Sequence, residues 1–276
     1  MPGAKSCRGT VIRSMRRSAR EVSFAARPEG PLNREVTMIQ LRRADERGRT
    51  QNGWLDSRHT FSFGEYYDKR FQAYRGLRVI NDDRVEAGRG FGSHAHHDLE
   101  ILTWVLSGQL AHRDSLGNGA VIHPNDLQRM TAGRGIIHSE MNPSFSHPVH
   151  FLQIWIEPEA KGLSPAYEQR HFDPAERRDR WQLLAMRIDP RSERPKGVVG
   201  IHADVSLFAN HLPQGQTIEV PVPGPKRGQW LHVVSGMVDL GGTWLREGDA
   251  AAIEGDHGRL ELRAETASEL LLFDLA

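Results

Sequence analysis

From Met38 onward the apolar residues of this chain arrive in runs too short for ordinary helices, each cut off by turn-forming residues. Residues 59–63, 77–80, 99–106 and 127–130 read as strands, with apolar side chains tending to alternate or cluster over four to eight positions. Asn81-Asp82-Asp83, Ser107-Gly108, Leu116-Gly117-Asn118-Gly119 and Pro124-Asn125-Asp126 supply turn chemistry between them. Many short strands at this spacing predict a β-sandwich or barrel. The run Val149-His150-Phe151-Leu152-Gln153-Ile154-Trp155-Ile156 is nearly continuously apolar, as a strand buried on both faces would be, and Pro158 and Gly162 mark its end.

Residues 157–194 shift towards charge and proline and carry one short helical segment, 174–181, with Asp173 as N-cap and Pro174 at the first helical position. Beyond it the pattern of the first half returns. Val105-Leu106-Ser107-Gly108-Gln109-Leu110 matches Val233-Val234-Ser235-Gly236-Met237-Val238, and Asn125-Asp126-Leu127 matches Gly248-Asp249-Ala250. Such self-similarity predicts a duplicated barrel. The expected organisation is a basic extension (1–37), a first barrel (38–160), a connection with the short helix (161–194) and a second barrel (195–276).

The extension holds eight Lys/Arg against three Asp/Glu and has no apolar periodicity. It reads as a disordered tail or as translated sequence ahead of a start at Met38, with a transit peptide or a partner-binding arm as alternatives. The body after it has 28 basic against 32 acidic residues, a poor balance for direct nucleic-acid binding. Cys7 is the single cysteine, so no intrachain disulfide or thiolate zinc site is available and a reducing, cytoplasmic setting is expected. No apolar run is long enough for a helical membrane span.

Alternation also locates the chemistry. Side chains at i and i+2 of a strand share a face, which pairs His94 with His96 and His138 with Glu140. If the two strands meet inside one barrel, three imidazoles and a carboxylate converge on one point. Crowded imidazoles resist protonation and need a cation or acceptors for their lone pairs. A mixed N/O donor set suits iron, copper, nickel, manganese or zinc with coordination positions left open, whereas a structural zinc site more often recruits cysteine. No His-x-His occurs at the corresponding place in the second half. His232 and His257 there read as ordinary polar or packed residues.

These residues resemble a cupin. Gly88, His94, His96 and Glu100 match the first cupin signature, with its closing glycine one place late at Gly108; Gly135, His138 and Asn142 match the second, without the usual proline ahead of its glycines. The combination Gly-Phe-Gly-Ser-His-Ala-His-His-Asp-Leu-Glu, His112-Arg113-Asp114-Ser115 and Gly-Ile-Ile-His-Ser-Glu is similar to the pirin family over 38–276. Pirins commonly carry proline between the first two histidines, where this chain has Ala95. The resemblance implies an all-β bicupin: two cupin-type barrels (double-stranded β-helices), the first holding one metal and the second usually none.

It further implies His94, His96, His138 and Glu140 as ligands of one divalent transition ion, Fe(II) foremost, with copper, nickel, manganese or zinc as alternatives. Parity counting alone leaves Glu100 open as the carboxylate, or as a partner of a ligand imidazole. The implied activity is that of a quercetin 2,3-dioxygenase, acting on a small aromatic flavonol and dioxygen, with Glu140 or Glu100 accepting the substrate proton. Phe91, Leu102, Trp104 and Met130 are candidates for the pocket wall, with packing of the barrel core as the plainer reading. A second implication is a regulator that binds a transcription factor or metabolic enzyme, which a basic patch of Arg89, Arg113 and Arg134 at the metal mouth would favour. A different metal-dependent enzyme, such as an isomerase, remains a third.

Overall fold

A computed structural model describes residues 38–255 and 258–276; the basic extension and His257 lie outside the described residues. The described elements are twenty-two strands and two 3-10 turns, so the chain is all-β. They form two barrels, each a seven-stranded and a four-stranded sheet.

In the first barrel the large sheet runs Ala166–His171, Asp126–Thr131, Glu100–Ser107, Val149–Ile156, Leu77–Val85, Leu55–His59, Gly48–Asn52. The small sheet runs Gly90–His96, Ile136–Met141, Leu110–Asp114, Gly119–Ile122. The second barrel repeats the plan, with a large sheet from Met38–Arg42 to Val199–Ile201 and a small one from Thr217–Glu219 to Thr243–Arg246.

The repeat has a backbone cause. Gly108 and Gly236 turn matching strand corners at φ 77° and 86°, and an added Cβ would lie 2.7 Å from the Pro148 carbonyl oxygen or 2.5 Å from that of Ala267. Asn125 and Gly248 occupy matching positive-φ positions (70° and 80°) ahead of Asp126 and Asp249.

The two large sheets pack together through their outer faces. Leu102, Trp104, Leu152 and Ile154 meet Val205, Leu207, Trp230 and Phe273 in one apolar cluster, with Phe61 lying 4.9 Å from Trp230 between ring centroids. Strands such as Val149–Ile156 therefore face a barrel interior on one side and a neighbouring barrel on the other. This explains their continuous apolar sequence. That strand is indeed central, paired with Leu77–Val85 and Glu100–Ser107.

The structure departs from the expected segments in five places. Met38–Arg42 joins the edge of the second barrel's sheet, pairing with Ala250–Glu254, before the chain enters the first barrel. The stretch expected as a connection contains two strands, Ala166–His171 on the first barrel and Gln182–Arg187 on the second. Each of these additions covers a strand that would otherwise expose its backbone groups. The helical segment is a single 3-10 turn, Pro174–Arg177, where the Asp173 carboxylate accepts from the Ala175 N–H at 2.9 Å as the N-cap pattern implies; Arg178 is already extended. Asn81-Asp82-Asp83, expected as a turn, lies inside Leu77–Val85, and the strand expected at 59–63 ends at His59.

Candidate metal centre

The interior of the first barrel is apolar around a polar middle. Leu55, Val85, Val105, Leu110, Val149 and Phe151 pack in one cluster, and Ile101, Met130, Ala132 and Ile136 in another. The polar middle is built mainly on the small sheet. Ile136–Met141 alternates so that Ile136, His138 and Glu140 are buried, while Ile137 and Met141 are exposed. His138 lies opposite His94 on one neighbouring strand, and on the other Glu140 lies opposite His112.

The structure brings His94, His96 and His138 together, with one ring nitrogen from each inside a 4.8 Å group. Ring centroids are 4.4 Å apart for His94–His138, 4.8 Å for His94–His96 and 5.0 Å for His96–His138. A second group within the same distance consists of His112, His138 and Glu140, so His138 belongs to both. His94 Nδ1 donates to the Gly92 carbonyl at 2.7 Å, so Nε2 is the nitrogen left to hold an ion. Burial, then the charges of neighbouring imidazoles, lower His138 to about 3 and His96 to about 4, so both are neutral donors at pH 7.

Both ring nitrogens of His138 are buried without a hydrogen-bond partner. An unsatisfied buried polar group costs about 1–3 kcal/mol. A cation shared by the imidazoles would use a His138 lone pair directly, and this donor chemistry fits a divalent transition ion.

Glu140 is held from the large sheet. Gln153 Nε2 donates to both carboxylate oxygens at 3.0 and 2.8 Å, and Thr103 Oγ1 donates to the Gln153 amide oxygen at 3.0 Å, fixing its orientation. Burial raises the Glu140 pKa against the Gln153 hydrogen bonds and the nearby His112 and His94. His112, which alternation could have placed on this face, is buried with its Nε2 3.1 Å from Asp114 Oδ2. Asp114 is in turn fixed by the Asn118 backbone and side-chain amides. Gln153, Thr103 and Asp83 carried no sequence signal, because their relevance depends on which strand lies across the barrel.

Glu100 is elsewhere. The chain turns a corner at Asp98 (φ 50°) between the small-sheet strand Gly90–His96 and the large-sheet strand Glu100–Ser107, so parity counted from His96 does not carry across. Thr103 reaches Glu140 inside the barrel, whereas Glu100, Leu102 and Trp104 face outward. The Glu100 carboxylate accepts from the His202 N–H of the second barrel at 3.4 Å. It is neither beside the imidazoles nor placed to take a substrate proton.

Burial raises the Glu100 pKa, opposed by Thr131, Arg129 and His202. With the folded value above the unfolded one, its contribution to stability is complete at pH below the unfolded value and is lost as pH rises through the folded value. Glu100→Gln, which keeps the neutral shape, is expected to be more stable than the native protein at pH 8, with the gap closing towards pH 4, and to bind metal undiminished. Urea unfolding at the two pH values and metal analysis check this; loss of metal would return Glu100 to the site.

Beside the imidazoles lies a cavity of about 310 Å³. Leu55, Phe63, Phe91 and Trp155 form its apolar lining, His94, His96 and Glu140 one wall, and Ser57, His59, Asn81 and Asp83 the other. Of the expected wall residues only Phe91 is among this lining; Leu102 and Trp104 sit between the barrels and Met130 in the interior core. Trp155 packs edge-on against Phe63 at 5.4 Å and His96 at 4.9 Å. Burial pushes the Asp83 carboxyl up to about 7, against the Ser57 hydroxyl and aided by the carboxylates of Asp82 and Glu140.

Ala95 is exposed, pointing away from the imidazoles, so replacing the proline common in pirins leaves the cluster intact. His97 is exposed beside Asp98. Arg89 and Arg134 precede opposite ends of the antiparallel pair Gly90–His96 and Ile136–Met141, and Arg113 projects outward between them, so the three do not gather into one patch. Among the described residues no helix is long and apolar enough to cross a membrane.

The fold and its two barrels have counterparts among known proteins. Residues 40–156 match the Pirin family model, and residues 191–275 match the model of the quercetinase C-terminal cupin domain. The chain is 44% identical over 238 residues to quercetin 2,3-dioxygenase of Escherichia coli strain K12, covering 86% of this chain and 99% of that one. The crystal structure of the bacterial pirin YhhW from Escherichia coli in complex with nickel(II) superposes with a TM-score of 0.78 at 43% identity, covering 86% of this chain and 99% of that one. Quercetin 2,3-dioxygenase from Acinetobacter baumannii, at 19% identity, shares the fold with a TM-score of 0.68, covering 87% of this chain and 78% of that one.

Proposed function

Because the chain belongs to the pirin family, we propose that it is a metal-dependent dioxygenase that opens flavonols such as quercetin at the 2,3 position. His94, His96, His138 and Glu140 hold one divalent transition ion in this reading, with Fe(II) as the resident metal. The observation that carries the proposal is the convergence of three imidazoles beside an apolar cavity of about 310 Å³. That volume is at the small end of the range for small-molecule sites, which suits one planar aromatic. The likeness to a nickel-bound bacterial pirin supports a divalent transition ion.

When bound, the ion supplies Lewis acidity towards the substrate oxygens and redox chemistry towards dioxygen. The chain supplies the remainder. Phe63, Phe91 and Trp155 offer ring faces and edges to the flavonol and keep water from it. Glu140, its pKa raised by burial and its carboxylate steadied by Gln153, takes the proton of the substrate 3-hydroxyl. The second barrel encloses an interior of Leu231, Val233, Leu245, Ile253, Leu262 and Leu270, and its part is to cover the outer face of the first. We place the protein in the cytoplasm, in keeping with its single cysteine.

Metal analysis combined with oxygen uptake on quercetin, for the native protein and His94→Ala, tests the proposal. Stoichiometric metal and quercetin-dependent oxygen uptake are expected for the native protein, and loss of both for the variant. A fully metallated protein that neither consumes nor binds quercetin would overturn the dioxygenase reading and favour a regulatory role.

A further inference from the structure

Asp82 and Asp83 are consecutive on Leu77–Val85 and point to opposite faces of the sheet, and they meet opposite fates. Asp82 faces outward, where Arg47, Arg84 and His150 contact it at 3.2, 3.1 and 2.6 Å. Asp83 faces the cavity, 3% exposed, in no ion pair among the described residues and with its Oδ1 lacking any hydrogen-bond partner. Its polar neighbours on that wall are already engaged with each other. His59 Nδ1 pairs with Asn81 Oδ1 at 2.8 Å and His59 Nε2 with Thr50 Oγ1 at 2.8 Å. Among the residues lining the cavity, the buried polar atoms without partners are Asp83 Oδ1, an acceptor, and Trp155 Nε1, a donor.

We infer that Asp83 is a specificity-determining residue that accepts a hydrogen bond from an aromatic hydroxyl of the cavity's ligand, on the wall opposite the imidazoles. This rests on reading the cavity as the site of an aromatic substrate. A buried acceptor without a donor is destabilising, and among the described residues no hydrogen bond reaches Asp83 Oδ1. A phenolic O–H relieves it only when ligand is present, which turns a stability penalty into discrimination between hydroxylated and bare rings. The imidazoles stand on the small-sheet wall and Asp83 on the large-sheet wall, so the hydroxyl met by Asp83 is a different substituent from the oxygens directed at the ion.

The experiment titrates metal-loaded protein anaerobically with quercetin and with 3-hydroxyflavone, which lacks the ring hydroxyls, for the native chain and Asp83→Asn. Metal content is measured on each preparation. At pH 8, where the Asp83 carboxyl is mostly ionised, the native protein is expected to prefer quercetin by roughly tenfold or more, the ratio that a hydrogen bond to a charged group supports. Asp83→Asn is expected to lose most of that preference, with 3-hydroxyflavone affinity within about twofold and metal content unchanged. Equal weakening of both ligands, no change in either, or loss of metal would overturn the inference. Should the variant not fold, equal native affinities overturn it and a native preference for quercetin supports it. Oxygen uptake separates the two claims: turnover without discrimination removes Asp83's role alone, discrimination without turnover removes the dioxygenase reading alone, and failure to bind either flavonol removes both.

Discussion

His138→Ala is expected to leave a folded protein that no longer retains metal. His138 is the member common to both donor groups, and both its ring nitrogens lack protein partners. The alanine variant thus loses a central donor while breaking no hydrogen bond within the fold. Removing even an outer partner of a metal ligand weakens binding roughly 10- to 100-fold, so loss of this residue should exceed about 100-fold. The thermal signature follows. At metal concentrations near a thousand times Kd, a ligand that binds only the folded state adds about 4 kcal/mol, and the variant should show none of that increment. Metal analysis after desalting and melting curves with and without added metal check both parts. A variant that keeps one ion per chain would show that the ion is held without His138.

Gly90→Ala should damage the same site through the backbone alone. A Cβ at Gly90 would lie 2.2 Å from the Glu140 carbonyl oxygen and 2.6 Å from Met141 Cα, both main-chain atoms that no side-chain rotation can move. The strands Gly90–His96 and Ile136–Met141 must separate at the register shift that sets Glu140 opposite Phe91. Overpacking of this kind costs about 3 kcal/mol, and displacement of Glu140 should weaken metal binding by roughly tenfold. Gly92 on the same strand is the control, since a Cβ there meets nothing within 4 Å. Gly92→Ala is expected to stay within about 1 kcal/mol of native stability with its metal intact. Urea unfolding and metal titration of the pair decide the matter; equal behaviour of the two variants would refute the close-approach argument.

What alternation within a strand can reveal, it revealed here. His94 with His96, and His138 with Glu140, share faces because the side-chain period is two, and no tertiary information enters that count. The duplication was likewise legible, because the Gly108 and Gly236 corners and the positive-φ positions Asn125 and Gly248 impose residue types wherever the same corner recurs. Counting failed where the chain changes sheet. Glu100 shares numerical parity with His96, but the corner at Asp98 resets the phase and turns its carboxylate towards the second barrel.

The remainder was decided by which strands lie side by side, and pairing between segments far apart in sequence leaves little trace in either one. Only the assembled sheets put Gln153 behind Glu140 and His112 across from it. Asn81-Asp82-Asp83 has the composition of a turn, yet it runs through the middle of a strand because the packed barrels give each carboxylate a separate destination. For Asp82 this is Arg47, Arg84 and His150 on the outer face, and for Asp83 it is the cavity. Local sequence thus set which side chains share a strand face; long-range packing set what those faces meet.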